Sequence, residues 1–339
     1  MIGVKATPSS TPRVVVLGGG IAGLAAAWGL VRAGLSSVHL FEREDQLFAH
    51  SSGRNAAIYR SVEKQLAVAR LGVRSATLLD EIVGARAGWL RADGVVLTAR
   101  ERTSLAGLAG IAEQAGIAFD WLDRDRLTRI APITRDGHAG AALWVASGGV
   151  LDAHAIATSL RNAVKSAGGV IELDRTARRV IELGGRARGV ELENGEVHDA
   201  DAVVIAGGAW ASELGATCGA PLPLTPVRRH LVLLDPDVAL APHSPTVWDA
   251  DLEAYFRPES GSVLASPGDA TPWHPEVPAA DPAVLETLWD KLRSMAPSLA
   301  GARVRRSGRT TTRPATSWRR CPSSGSTSRR SPIGCSRRA

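Results

Sequence analysis

The hydrophobic pattern starts at Arg13-Val14-Val15-Val16-Leu17, a β-branched run that enters a cluster of glycines; Ile21 to Ala33 then has the Ala/Leu-rich make-up of a helix stopped by Gly34. Val38 to Phe41 follows as a second strand. Strand, glycine turn, helix and strand within about thirty residues predict a βαβ unit. Gln65 to Ile82 reads as an amphipathic helix, Gly94 to Thr98 as a strand and Ser104 to Ala115 as a helix. A charged connection, Asp120 to Arg129, ends at Pro132.

A second α/β section opens at Gly148-Gly149-Val150-Leu151-Asp152, where the Asp152 carboxylate can cap a helix running to Ala167 by accepting its free N–H groups. Gly168-Gly169 closes that helix. Strands are predicted at 170–173, 178–183 and 188–192, with Asn194-Gly195 as a hairpin turn and Ala202 to Ala206 as a buried strand. From Pro221 to about Pro278 the chain turns Pro- and β-rich, which predicts a separate sheet inserted in the fold, and a helix spans Pro282 to Met295. No internal repeat is evident.

Composition agrees with a soluble, well-cored protein of two domains: 339 residues, 45% hydrophobic, mean hydropathy near zero. The net charge of +6 and pI of 9.8 raise the question of nucleic acid or anionic lipid. The charge is local, however. Gly301 to Ala339 holds eleven arginines and no carboxylate, and setting them aside turns +6 into −5. No nucleic-acid partner is expected. Cys218, Cys321 and Cys335 have no metal-ligand spacing, so neither a metal site nor a disulfide framework is expected. The uncharged run Val14 to Val31, preceded by Lys5 and Arg13, is interrupted by Gly18, Gly19, Gly20 and Gly23 where a membrane helix or signal peptide needs leucine; the expectation is no transmembrane segment and a cytoplasmic location.

Gly18-Gly19-Gly20-Ile21-Ala22-Gly23 satisfies G-x-G-x-x-G between a strand and a helix, and Glu42 ends the second strand. The first glycine permits the turn, the second lets backbone approach a pyrophosphate, and the third lets helix and strand pack closely. Free N–H groups at the helix start favour the phosphates, and the Glu42 carboxylate can accept from ribose hydroxyls. The loop alone leaves FAD and NAD open. Ser51-Ser52-Gly53-Arg54-Asn55-Ala56-Ala57, small and donor-rich, offers further partners to a flavin dinucleotide, although a solvated loop has the same composition.

These residues resemble the D-amino-acid oxidase/dehydrogenase superfamily of FAD-dependent enzymes, with glycine and sarcosine oxidases among its members and D-arginine dehydrogenases as the most similar branch. Glu42-Arg43 with Ser51 to Ala57, Gly149 to Asp152 heading its helix, and Asp201 to Trp210 are similar to the family's flavin-contacting stretches, in the right order from residue 13 to about 307. The resemblance implies an α/β fold: an FAD-binding Rossmann-like domain of the glutathione-reductase type (1–85, 146–217 and 301–307) with an inserted mixed-sheet α+β substrate domain (86–145 and 218–300). It implies FAD contacts at Gly18, Gly20, Ile21, Ala22, Gly23, Glu42, Arg43, Ser51, Ser52, Gly53, Arg54, Asn55, Ala56, Ala57, Ala177, Ala206, Gly207 and Trp210.

For chemistry it implies oxidation of the Cα–N bond of an amino acid, either a D-amino acid or N-methylglycine. Hydride would pass to flavin N5, and oxygen or a quinone would take the electrons onward. Pro226 to His230 and Tyr255 to Pro258 are similar to the segments that supply a carboxylate-binding Arg and a substrate-contacting Tyr, which implies Arg229 and Tyr255, with Arg228 as the neighbouring alternative. A guanidinium fork suits a carboxylate because two parallel charge-assisted bonds fix its orientation. Asp93 stands where an acid could attract a cationic side chain, but a turn before Val95 explains it equally. Ile58 and Glu63 replace a His and a Tyr of the D-arginine branch, and His39, His50 and His230 show no carboxylate partner in sequence. Two other readings stay open: a truncated, catalytically inactive nucleotide-binding protein, and an NAD-dependent dehydrogenase.

After Ser307 the pattern departs from the family's Trp-Ala-Gly-Leu-Arg-Pro and glycine-rich closing segment, which supplies a second carboxylate-binding Arg. Gly308 to Arg313 can be written GGN CGN ACN ACN ACN CGN, and reading from the second base permits Ala-Gly-Leu-Arg-Pro. A frameshift is therefore expected near Ser307, with residues 308–339 as an aberrant, disordered tail, since Arg, Ser, Thr and Pro offer little to pack.

Overall fold

The computed structural model describes residues 12–238, 240–274, 281–305 and 311–318. In chain order the elements are β1 (Arg13–Leu17), α1 (Ile21–Arg32), β2 (Ser37–Phe41), β3 (Ile58–Tyr59), α2 (Leu66–Val83), β4 (Leu90–Arg91), β5 (Val95–Ala99) and α3 (Arg102–Ala115). Next come β6 (Asp120–Leu122), α4 (Arg124–Ile130), β7 (Ala141–Val145), β8 (Gly149–Leu151), α5 (Ala153–Ser166), β9 (Val170–Glu172), β10 (Ala177–Leu183), β11 (Arg186–Leu192), β12 (Val197–Asp199), β13 (Ala202–Ile205) and α6 (Ala211–Ala216). The chain continues with β14 (Leu224–Asp235), β15 (Thr246–Asp249), β16 (Ala254–Glu259), β17 (Ser262–Ser266), β18 (Thr271–Pro272), α7 (Ala283–Met295), β19 (Arg303–Val304) and β20 (Thr311–Trp318).

A four-stranded sheet in the order β13-β1-β2-β9 is parallel throughout. Parallel sheets are covered on both faces, which is why Val14 to Leu17 reads as an unbroken apolar run. Side chains alternate accordingly. Val16 and Leu40 pack on Leu24 and Ala27 of α1 and on Ile156, Leu160 and Val164 of α5. Val15, Leu17 and Phe41 point the other way, onto Val180, Val190 and Leu192 of the β10-β11-β12 meander. Each such buried Val or Leu contributes roughly 1.5–3 kcal/mol.

The second sheet runs β18-β14-β17-β16-β15-β5-β7-β6, with β19 and β20 also paired to β14. The β5–β15 pair is parallel and its neighbours are antiparallel, a mixed sheet. One face carries Val96, Val232, Val247, Phe256 and Ala265 beneath Leu288 and Leu292 of α7 and Leu127 of α4. The opposite face meets α3 at one end and Ala56 at the other. A small sheet, β3-β8-β4, stands between the two large ones.

Most predicted elements are present within a residue or two, including α5 with the Asp152 carboxylate accepting from Ala155 N–H at 2.8 Å. Three segments differ. Asp120 to Arg129 is a strand and a helix rather than a connection, because Asp123 caps Arg126 N–H at 2.8 Å while Leu122 and Leu127 reach the core. β13 is half-buried rather than fully buried, since it is the edge strand and its C-terminal end borders a cavity. Thr311 to Trp318 is ordered as β20, antiparallel to β14 from Leu224↔Trp318 to Leu231↔Thr311, which corrects disorder across that stretch. Main-chain pairing on a long exposed edge requires no apolar composition. Residues 306–310 and 319–339, with Cys321 and Cys335, lie outside the described residues.

Candidate functional site

The nucleotide end is assembled from backbone. Gly18, at φ +114°, leaves β1 in a conformation that L side chains rarely adopt, and a Cβ there would lie 2.5 Å from the Ala206 carbonyl oxygen. A Cβ on Gly23 would lie 1.8 Å from the Gly18 carbonyl oxygen, so α1 and β1 approach as closely as glycine allows. Gly20 begins α1 without a side-chain cap. Leu24 N–H is the first to reach back, to the Gly20 carbonyl at 3.0 Å, which leaves the N–H groups of residues 21 to 23 without an intrahelical acceptor. Ser52 Oγ accepts from Ile21 N–H at 2.9 Å and ties the donor-rich segment to the helix start.

Above that helix end lies a cavity of about 480 Å³. Its walls include Gly18, Gly20, Ile21, Ala22, Glu42, Arg43, Ser51, Ser52, Ala177, Ala206, Gly207 and Trp210. Glu42 is buried and its two carboxylate oxygens accept from Gly19 and Glu44 N–H, which fixes the side chain while leaving lone pairs for ribose hydroxyls. The Arg43 guanidinium lies 3.8 Å over the Trp210 ring and donates to Glu44 at 2.8 Å, and His50 joins the same carboxylate at 2.7 Å. The hydrogen bond from His50, with that from Arg43, holds the Glu44 carboxyl below its ordinary range against a smaller opposing effect of burial.

His50, Phe48, Arg175, Thr176, Arg178 and Thr217 also line the cavity and were not predicted. Arg175 and Arg178 belong to the entry into β10, which sequence marks with Ala177 alone. Partners distant in the chain or hidden by turns also answer the histidine question: His39 meets Glu172 at 2.6 Å, His50 meets Glu44, and His230 meets Asp269 at 2.8 Å.

Gly23, Gly53, Arg54, Asn55, Ala56 and Ala57 do not line this cavity. Gly23 serves packing. Gly53 is pressed against Phe48, where a Cβ would lie 2.1 Å from the carbonyl oxygen. Asn55 is spent internally: its Nδ2 donates to Ser52 O and its Oδ1 accepts from Ala57 N–H, both at 2.6 Å, holding Ala57 at φ +51°. This segment is a ledge between the cavity and the second sheet.

The residues predicted to meet the substrate are placed by sheet register. Tyr255 pairs with Ser266 on β17 and Trp248 on β15, and β17 pairs with β14 at Ala265↔Val232. Leu231, Ser266, Tyr255 and Trp248 therefore share one row and one face, and Arg229 stands on that face one same-side position further along, roughly 7 Å away on its strand. Ala56, Leu231 and Tyr255 form a buried cluster with Ile58, Trp248 and Leu264 around them. Trp248 stacks on Tyr255 at 4.4 Å, and Arg60, in an ion pair with Glu63 at 2.8 Å, covers Trp248 at 3.8 Å. Arg229 Nη1 donates to the Gly268 carbonyl at 3.3 Å, and among the described residues no salt bridge engages it.

Arg228 is not brought to this face. It points to the opposite one, where it is buried, pairs with Asp281 at 2.8 Å and lies 4.3 Å over the Trp273 ring; adjacent strand residues alternate sides and its charge is already matched. Asp93 is also engaged, by His243 at 3.0 Å and by Arg91, and it precedes β5 on the side of the Tyr255 row away from Arg229, the row crossing β5 at Leu97.

Geometry of this kind fits FAD: a helix start opening on Gly20 with the N–H groups of Ala22 and Gly23 lacking an intrahelical acceptor, a fixed carboxylate just after the second strand, and a cavity walled by Ser51 and Ser52 of the ledge. Among the described residues no His, Cys, Asp or Glu group could hold a metal ion, and no helix is long and apolar enough to cross a membrane. The chain is 30% identical over 259 residues to 4-methylaminobutanoate oxidase (formaldehyde-forming) of Paenarthrobacter nicotinovorans, covering 74% of this chain and 31% of the relative. It is 28% identical to the mitochondrial pyruvate dehydrogenase phosphatase regulatory subunit of Mus musculus, covering 77% and 30%. The chain thus spans about a third of the length of these relatives. L-proline dehydrogenase from P. horikoshii shares the fold, with a TM-score of 0.78 at 19% identity over 90% of this chain and 81% of that one. The model of the FAD dependent oxidoreductase family (DAO) matches residues 13–332, and the chain belongs to that family, with FAD as its cofactor.

Proposed function

We propose that this chain oxidises a carbon–nitrogen bond of a small amino acid, of the D-amino-acid or N-methylated type, to an imine that water hydrolyses to a carbonyl compound and an amine. The observation that carries this is the placement of Arg229, without a salt bridge among the described residues, on the same sheet face as Tyr255 and two residues along β14 from Leu231, which packs with Ala56 and Tyr255. Arg229 takes the substrate carboxylate, with its orientation held by the Gly268 carbonyl. Tyr255, backed by Trp248, forms the wall against which the amine-bearing carbon is aimed. The apolar surround of Ile58, Leu231 and Leu264 excludes water and favours a neutral amine, which is the form that can lose hydride from its carbon. Bound FAD supplies the two-electron acceptor for that hydride. The amine proton leaves to solvent, and oxygen or a quinone receives the electrons.

Support for an amine comes from the 4-methylaminobutanoate oxidase relative, whose name gives an N-methylated amine bearing a carboxylate. The engaged Asp93 gives no support to a cationic side chain. The test is anaerobic bleaching of flavin absorbance by a panel of D-amino acids, N-methylglycine and 4-methylaminobutanoate. Bleaching by at least one supports the reading. Yellow protein that none of them reduces supports the second reading, a nucleotide-binding protein without catalysis, which the regulatory-subunit relative favours. The change of frame near Ser307 stands as part of the proposal, and sequencing the gene there decides it: a shifted frame without an open continuation refutes it.

A further inference from the structure

Arg257 has no part in the chemistry above, yet its side chain is 5% exposed and all three guanidinium nitrogens are engaged. Nε donates to the Ala56 carbonyl at 2.6 Å, Nη1 to the Pro258 carbonyl at 2.8 Å, and Nη2 pairs with Glu259 at 2.6 Å. Burying a guanidinium is costly, and burial does push its pKa down. If matching the Glu259 charge were its whole use, the fork would not need to reach a backbone carbonyl of another part of the fold.

That carbonyl is on the ledge. Ala56 packs against Tyr255 and Leu231, and Ala57 beside it sits at a positive φ that Asn55 alone braces from within the segment. The next carbonyl, of Ala57, accepts from Leu151 N–H at 2.6 Å, and Ser52 at the other end accepts from the start of α1. The segment is therefore clamped at three points: the helix that meets the phosphates, the small sheet, and β16. Arg257 is the clamp on the strand that carries Tyr255, two residues away on the same face.

We propose that Arg257 is a positioning residue, whose bond to the Ala56 carbonyl sets the Ser51–Ala57 ledge at a fixed offset from Tyr255 and thereby aligns the flavin-facing backbone with the substrate wall. This rests on the proposed amine oxidation for its catalytic consequence, but not for its structural one. Lysine can pair with Glu259 but cannot present the same planar fork to Ala56.

The experiment compares full-length FAD-loaded protein with Arg257→Lys and Arg257→Met, reading FAD affinity, melting temperature, the visible flavin spectrum and the anaerobic reduction rate by N-methylglycine. FAD affinity should stay within about threefold in both, because the nucleotide cavity does not include Arg257. R257M should melt lower and R257K should recover most of that loss. Both should nevertheless shift the flavin's visible bands, and both should lower the limiting reduction rate by about 10–100-fold with little change in half-saturating N-methylglycine. A lysine variant with wild-type bands, or wild-type bands in R257M whatever its melting temperature, overturns the proposal. If no amine on the panel reduces the wild-type flavin, amine oxidation fails while the band positions still decide Arg257; wild-type protein that takes up no FAD overturns both.

Discussion

The nucleotide end of this molecule and the end proposed for the substrate are built in different ways. At the nucleotide end, contact is made by main chain that only glycine permits to come so close, within one stretch from Leu17 to Ser52 and its neighbour at Ala206. At the proposed substrate end, Arg229 and Tyr255 are far from each other in sequence and share a face only because β14, β17 and β16 pair in a particular register. A backbone site fails through one methyl group; a register site fails through the loss of a single charge while the fold persists. The difference gives each end its own characteristic mutant.

The largest effect is expected from Gly23→Ala. With a Cβ 1.8 Å from the Gly18 carbonyl oxygen, α1 must move off β1, and FAD content measured by absorbance should fall at least about tenfold. Retained FAD would break the view that this end tolerates no side chain. Arg228→Ala comes next and sharpens the substrate side. It strips a buried partner from Asp281 and Trp273, so the melting temperature should drop by several degrees, on the order of 2–3 kcal/mol, with amine half-saturation unchanged within about threefold. A large rise in half-saturation there would move the carboxylate site to the wrong face of β14.

Ser52→Ala should be milder, weakening FAD binding about three- to tenfold in an equilibrium titration, since it frees one helix-start N–H and loosens the ledge. The smallest expected effect concerns pH. Burial pushes the Asp269 carboxyl up, but the hydrogen bonds from the His230 ring and backbone outweigh it and leave the carboxyl below its ordinary range. A depressed carboxyl contributes stability above its unfolded pKa of about 3.9 and loses it as pH falls through the folded value. Asp269→Asn should therefore flatten the acid limb of a melting-temperature profile below about pH 4. An unchanged limb would show that this pair does not contribute to acid stability.

The two ends also differed in how far sequence could show them. Gly18 to Gly23 and Glu42 were readable because their contacts are local and each glycine answers a backbone demand. His50 was not, since its link to Glu44 depends on the turn through Phe48, and Arg175 enters the cavity only where β9 passes into the meander. At the substrate end, Arg228 and Arg229 are chemically equal in sequence; one sits on each face of β14, and which face holds Tyr255 is decided by partners on β17. Asp93 looked available because His243 lies far along the chain. The α4 helix was hidden by its brevity, too short to display a period beyond its Asp123 cap. β20 was hidden for another reason, since strand pairing by main chain leaves no compositional mark.

FAD and the substrate carboxylate are, on this proposal, held by separable parts of one site, the second of them Arg229. Anaerobic flavin reduction in wild-type protein and Arg229→Ala, over a range of the amine that bleaches best, decides whether they are. Equal FAD content and a half-saturating amine concentration about 100-fold higher in the variant is the predicted result, as loss of a charge-assisted fork requires. Superimposable reduction curves for the two proteins would contradict it.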